Sequence, residues 1–272
     1  MGVTVPRIPL LPFHPVYKEI KQGPPCEKEK LMFYFILRST LIWHYVLIAA
    51  AIFPAVILMI HVYRTDRIEK ESPSILRRCI RAGVISTLIA MVLERVLGAL
   101  LDACVDDVSP LYNLLLYFVI VAGAEEGAKY YMLRRNTWRD REFDCLYDGV
   151  VYAVFVSLGF ALWENISYVL HFGMESALIR AVTAVPGHSC FGVFMGVFYG
   201  RERGFFSTGD TRGMKRSGFF ALFVPILLHG AYDYIASMET DGSEWVFVLF
   251  IAFMFLLAWR TAGKASKGDR FI

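Results

Sequence analysis

Residues 111–133 read LYNLLLYFVIVAGAEEGAKYYML. A helix needs roughly 20 largely apolar residues to cross a hydrocarbon core of about 30 Å, and this stretch supplies them. It also carries Glu125, Glu126 and Lys129. A charge at the bilayer centre costs about 2.5 kcal/mol or more, so such residues pair with one another or line a wet cavity. The stretch therefore reads as a membrane span with a polar inner face.

Six more stretches of similar length and polarity lie at about 41–63, 82–101, 149–170, 181–200, 218–237 and 244–261. The 272 residues are 56% hydrophobic and 19% charged, with a mean hydropathy of +0.48. A water-soluble domain of this length rarely carries so much apolar residue. The expected fold is all-α, a polytopic transmembrane helix bundle with about seven spans. Residues 1–40 form a polar N-terminal extension, 41–261 the membrane domain, and 262–272 a basic tail. A net charge of +3 without a basic, aromatic patch gives no footprint for nucleic acid. The five cysteines are scattered, with no C-x-x-C pair, and read as packing residues. The polar, proline-containing start is not a signal peptide.

Loop charges orient the bundle. Loop 64–81 holds six Lys/Arg, loop 134–148 four, loop 201–217 five, and the tail with Arg260 four. The intervening loops 102–110 and 238–243 hold only acids, and loop 171–180 a single Arg180 at its far end. This alternation puts the C-terminus in the cytoplasm, in a bacterial-type plasma membrane. Seven spans then put the N-terminus outside, although residues 1–40 carry six Lys/Arg. Either translocation tolerates them, or residues 31–40 form an interfacial or re-entrant piece, too short for an eighth span.

Of the 28 Lys/Arg, only Arg95, Lys129 and Arg180 fall outside the tails and basic loops. Glu94, Glu125, Glu126, Glu164, Asp233, His188 and His229 also fall within spans. So many ionisable groups exceed what helix packing requires and imply a polar cavity. Lys129 lies one turn from both Glu125 and Glu126. The two glutamates are about 100° apart around the axis and take different roles. His229 and Asp233 share a face, where the carboxylate can orient the imidazole. The Gly192, Gly196, Gly200 stripe lets another backbone approach closely and reads mainly as packing. Glu94-Arg95 reads as structural, and Asp148 as a helix-start residue.

Glu126, Glu164, His188 and His229, if they meet, suit a divalent metal, Zn2+ first, with a position left for water. Without metal, Glu126 can activate water as a general base, while His188, His229 or Asn165 stabilises the oxyanion. Ser189 and Cys190 are poor nucleophile candidates, because neighbours of His188 on a helix point elsewhere. At 1.5 Å per residue, both histidines lie about 10–17 Å from their span ends, whereas Glu126 and Glu164 fall toward opposite sides. Their meeting is the weakest step of this reading. A proton- or ion-coupled transporter would use the same buried groups, but the inverted repeats common in transporters are not evident.

The chain resembles the PrsW-type intramembrane proteases, relatives of the type II CAAX prenyl proteases and the bacteriocin-processing membrane proteins. The resemblance runs from about Val62 to the end. It rests on Asp66-Arg67-Ile68-Glu69-Lys70-Glu71-Ser72-Pro73, Glu125-Glu126-Gly127-Ala128-Lys129 and Tyr147-Asp148-Gly149. Further on lie Ser157-Leu158-Gly159-Phe160, Glu164-Asn165, Arg180, His188 and Leu228-His229-Gly230 with Asp233. It implies a membrane-embedded hydrolase, either a metalloprotease or a glutamate protease. Glu125, Glu126 and His188 would form the catalytic core, with Glu164 and His229 at the other polar positions of the pattern and Lys129, Asn165 and Asp233 in support. It also implies a single-span membrane protein substrate within the lipid bilayer, since the best-known members cleave anti-sigma factors in regulated proteolysis.

Overall fold

The computed structural model describes residues 27–272. Among these the chain is helical throughout apart from its connections, and its only β pairing is an isolated bridge between Cys145 and Phe271. Helix α1 runs Glu27–Thr65 and α2 Pro73–Cys104. A short α3, Pro110–Leu114, passes through a π-helical stretch, Leu115–Val121, into α4, Ala122–Thr137. Then follow α5 (Asp148–Val182), α6 (Ala184–Ser207), α7 (Thr211–Ala236) and α8 (Ser243–Lys267). Local chemistry fixes several starts. Ser72 accepts the Ile75 amide ahead of Pro73, and Asp210 accepts those of Arg212 and Gly213.

Among the described residues, six helical stretches are long and apolar enough to cross a membrane. The longest, Asp148–Ser207, joins α5 and α6. The two run antiparallel, since Gly149 abuts Gly200 while Gly192 abuts Val154. Arg180 reaches back to Asn165, so the chain reverses between them, around the left-handed Gly173 at φ 80°. That stretch therefore covers both spans expected at 149–170 and 181–200. Large side chains such as Trp245, Leu249 and Phe253 are exposed along α8, a surface suited to lipid.

Residues 31–40 are helical. They continue without a break into α1, because no helix breaker separates Leu31 from the apolar run beyond Thr40. The chain divides into two compact units, one ending at Trp43 and the other running His44–Ile272. The expected extension over residues 1–26 lies outside the described residues. The basic tail is also ordered. Helix α8 continues to Lys267, after which the Leu146 amide donates to the Arg270 carbonyl and the Ile272 amide to that of Asp144.

Helix α5 is the core of the larger unit. Val150 through Val154 are fully enclosed on every side of the helix, as expected of a helix apolar all round. Glycines permit this. A Cβ on Gly196 would stand 2.4 Å from Val150 Cα, and one on Gly200 2.1 Å from the Leu146 carbonyl oxygen. Helix α2 approaches the opposite side, where a Cβ on Gly83 would meet the Val156 carbonyl at 2.1 Å.

Gly196→Ala therefore overpacks the α5–α6 interface, at a cost of about 1–3 kcal/mol. Thermal unfolding of the detergent-purified chain is expected to show a fall of roughly 2–10 °C. Gly98→Ala is the control, with no atom within 4 Å of the new Cβ; its midpoint should hold or rise.

Candidate active site

The α4 glutamates follow directly on the π-helical stretch, whose wider turns recur at functional sites in helices. Lys129 Nζ donates to Glu126 Oε1 at 2.7 Å and to Glu125 Oε2 at 3.1 Å. It also lies 3.1 Å from His188 Nδ1 on α6 and 3.9 Å above the centre of the Phe160 ring on α5. An ammonium has only donors, so His188 Nδ1 accepts and Nε2–H points the other way. That nitrogen meets Glu164 Oε2 at 2.9 Å, and Arg180 pairs with the same carboxylate at 2.9 Å.

Helix α7 closes the arrangement. His229 Nδ1 lies 2.9 Å from Glu126 Oε1, and its Nε2 faces Asp233 at 3.3 Å and Glu125 at 3.9 Å. Gly230 makes this approach possible, since a Cβ there would stand 2.5 Å from the Phe118 ring. Phe191 stacks on the His229 imidazole with centroids 4.7 Å apart. Glu125, Glu126, His188 and His229 each bring one ligand atom within 4.8 Å of the other three. A cavity of about 590 Å³ adjoins them, walled among others by Glu94, Glu125, Glu164, His188, His229 and Asp233.

The structure brings together most of the residues singled out in the sequence. Glu164 joins through the far ring nitrogen of His188 and not as one of the four converging ligands; Glu125 holds that place. The depth gap closes in two ways. Helix α4 continues to Thr137, which sets Glu126 nearer the middle of its stretch, and Lys129 and His188 bridge what remains between Glu126 and Glu164. The two glutamates differ in exposure. Glu126 is fully enclosed between Lys129 and His229, and it is Glu125 that faces the cavity. Asn165 is a positioning residue, because its amide donates to the Ala51 carbonyl at 2.8 Å and its oxygen accepts from Arg180 Nε. Ser189 and Cys190 line a different, apolar cavity.

Two participants escaped the sequence reading. Glu94 lines the cavity from α2, while its neighbour Arg95 is exposed. Arg180 is the ion-pair partner of Glu164. Both stood among the charges that loop topology left unexplained, and that was the available signal.

Two carboxylates and two imidazoles make a borderline-hard donor set that suits Zn2+ or a similar divalent ion. Glu126 Oε2 is buried with no hydrogen-bond partner, as a vacant ligand atom would be. Around the cavity, the five carboxylates of Glu94, Glu125, Glu126, Glu164 and Asp233 face two permanent cations, Lys129 and Arg180. The residues therefore fit a divalent metal, with the Lys129 ammonium holding part of that role in this arrangement.

Buried carboxylates and imidazoles between membrane helices are the makings of a hydrolytic centre shut away from bulk water. Comparison with known proteins agrees. The family model described as PrsW family intramembrane metalloprotease matches residues 71–259. Protease PrsW of Bacillus subtilis (strain 168) is 33% identical over 223 residues, covering 82% of this chain and 95% of the relative. Protease PrsW of Geobacillus kaustophilus (strain HTA426) is 32% identical over 225 residues, covering 83% and 93%. That of Clostridioides difficile (strain 630) is 29% identical over 213 residues, covering 76% and 84%. No solved structure matches. The chain belongs to the PrsW family of intramembrane proteases.

Lys129→Met leaves Glu125 and Glu126 buried without their cation, at a cost of about 3–5 kcal/mol. Thermal unfolding is expected to show a drop of roughly 10 °C, and Lys129→Arg, which keeps the charge, a smaller one. Equal midpoints for Lys129→Met and wild type would remove the ammonium from its central place.

Proposed function

We infer that this protein is an endopeptidase that hydrolyses a peptide bond in or beside the membrane span of a single-span protein, an anti-sigma factor being the leading substrate class. The observation that carries this is the convergence of Glu125, Glu126, His188 and His229 beside a cavity of about 590 Å³. Family membership disfavours the transporter reading.

Glu125 faces the cavity and is the general base: its carboxylate takes a proton from water as the water oxygen bonds to the scissile carbonyl carbon. Glu125 then returns that proton to the leaving nitrogen as the C–N bond breaks. Glu126, enclosed by Lys129 and His229, holds the His229 imidazole at the cavity wall, where negative charge develops on the carbonyl oxygen. His188, held by Glu164, and Arg180 complete the wall on the α5 side. A divalent metal, Zn2+ as first candidate, would be held by Glu126, His188 and His229 with Glu125 nearby. Such an ion acts as a Lewis acid and lowers the pKa of water bound to it. The donor set, the partnerless Glu126 Oε2 and the family's description support the metal.

Co-expression with tagged single-span membrane proteins tests the activity. Cleavage should fall by at least ~10²-fold in both Glu125→Gln and Glu126→Gln. Metal analysis separates their roles: Glu125→Gln retains the ion, whereas Glu126→Gln and His229→Ala lose it. Cleavage persisting in Glu126→Gln would reject this mechanism, and an active preparation without stoichiometric metal would reject the metal.

The loop charges support a plasma-membrane protein with α8 ending in the cytoplasm. Cys104, exposed at the end of α2, and a cysteine placed at Lys267 test this once the remaining cysteines are replaced by serine. An impermeant maleimide should label Cys104 on intact cells and Lys267→Cys only after permeabilisation.

A further inference from the structure

A second cluster of acids lies at the other end of α5. Asp66 and Glu71 come from the α1–α2 connection and Asp148 begins α5; all three are buried, each with a carboxylate oxygen within 4.8 Å of the others. From Asp148 to Glu164 the helix rises roughly 24 Å, so this cluster is separate from the catalytic centre.

Its hydrogen bonding is incomplete. Glu71 Oε2 accepts from the Tyr152 hydroxyl at 2.5 Å, and Asp148 Oδ2 accepts the amides of Asp144 and Cys145. Asp148 Oδ1 and both oxygens of Asp66, however, are buried with no partner, although Asp66 is only 3% exposed and Asp148 1%. A partnerless oxygen of Asp269 is buried on the same side, and its charge reaches Asp66. The cation at hand is Lys70, whose ammonium is committed to the backbone carbonyls of Tyr63 and Asp66. Buried carboxylates without cation or donor are costly.

We propose that Asp66, Glu71 and Asp148 bind a hard divalent cation, Ca2+ or Mg2+, which clamps the α1–α2 connection to the start of α5. Oxygens within 4.8 Å of one another can share an ion held at about 2.4 Å, the Ca2+ distance. All three ligands are oxygens, the preference of hard ions. The one nearby thiol, Cys145, is held protonated because burial pushes it far above its ordinary value. Burial also raises Asp66, and Glu71 to about 9. Proton uptake is therefore the competing way to neutralise the cluster.

The test uses the full chain in detergent, stripped with EDTA, alongside Glu126→Gln so that binding at the catalytic centre does not enter the readout. Tb3+ excited through tyrosine reports the cluster, since Tyr152 touches Glu71. The expected result is a saturable Tb3+ luminescence in wild type and Glu126→Gln, displaced by millimolar Ca2+ or Mg2+ and lost in Asp66→Asn and Glu71→Gln. Ca2+ or Mg2+ at about 100-fold above its dissociation constant should raise Tm by roughly 5 °C, and by less than ~1 °C in Asp66→Asn. Asp66→Asn relieves charge repulsion, so it should fold without added ion at least as stably as the stripped wild type. Whichever ion displaces Tb3+ at the lower concentration is the one the site takes. An equal rise in wild type and Asp66→Asn overturns the proposal, as does a response to Zn2+ alone. No Tb3+ signal and no rise in Tm overturns it in favour of protons.

Discussion

The arrangement depends on one buried ammonium. Lys129 has no exposure, yet it contacts both α4 glutamates, the α6 imidazole and the α5 aromatic ring. Through Glu126 it also fixes His229 on α7. Three neighbouring helices thus take their positions from a single charge on a fourth. Buried ion pairs are rarely the most stabilising choice, and apolar replacements of similar volume often do as well or better. Their retention here is better explained by chemistry than by packing. A Lys129 shared by two carboxylates and an imidazole gathers polar groups from three helices into one site that apolar packing would not form.

Much of this was legible in the sequence, because lipid makes charge expensive. Loop topology accounted for nearly every Lys and Arg, so Lys129 and Arg180 stood out before any coordinates. Helical spacing tied Lys129 to Glu125 and Glu126. What stayed hidden came from geometry between helices. Estimating depth from the apolar pattern put Glu126 and Glu164 on opposite sides, a gap that Lys129 and the two nitrogens of His188 bridge. No spacing rule shows that Asn165 faces α1 and Arg180, or that Glu94, far away in sequence, lines the same cavity. Which of two adjacent glutamates faces water is likewise decided by the close approach of α7 at Gly230.

Helix α5 separates two collections of acid with different surroundings. At its centre, Glu164 is matched by Arg180 and by a histidine that relays to Lys129. At its start, Asp148 shares its neighbourhood with Asp66 and Glu71, and Lys70 serves carbonyls there instead of carboxylates. The first collection is internally balanced enough to persist between helices. The second has carboxylate oxygens that no donor among the described residues meets.

The glycine-lined contact of α5 with α6 bears on the order of assembly. The two helices are close in sequence and reverse around Gly173, so they can pair with little loop-closure entropy. Such local pairings form early. They bring Glu164 and His188 together before α4 and α7 need to dock. A nascent chain would then hold half of its active site as a hairpin, with the water-activating half completed only when α4 and α7 dock.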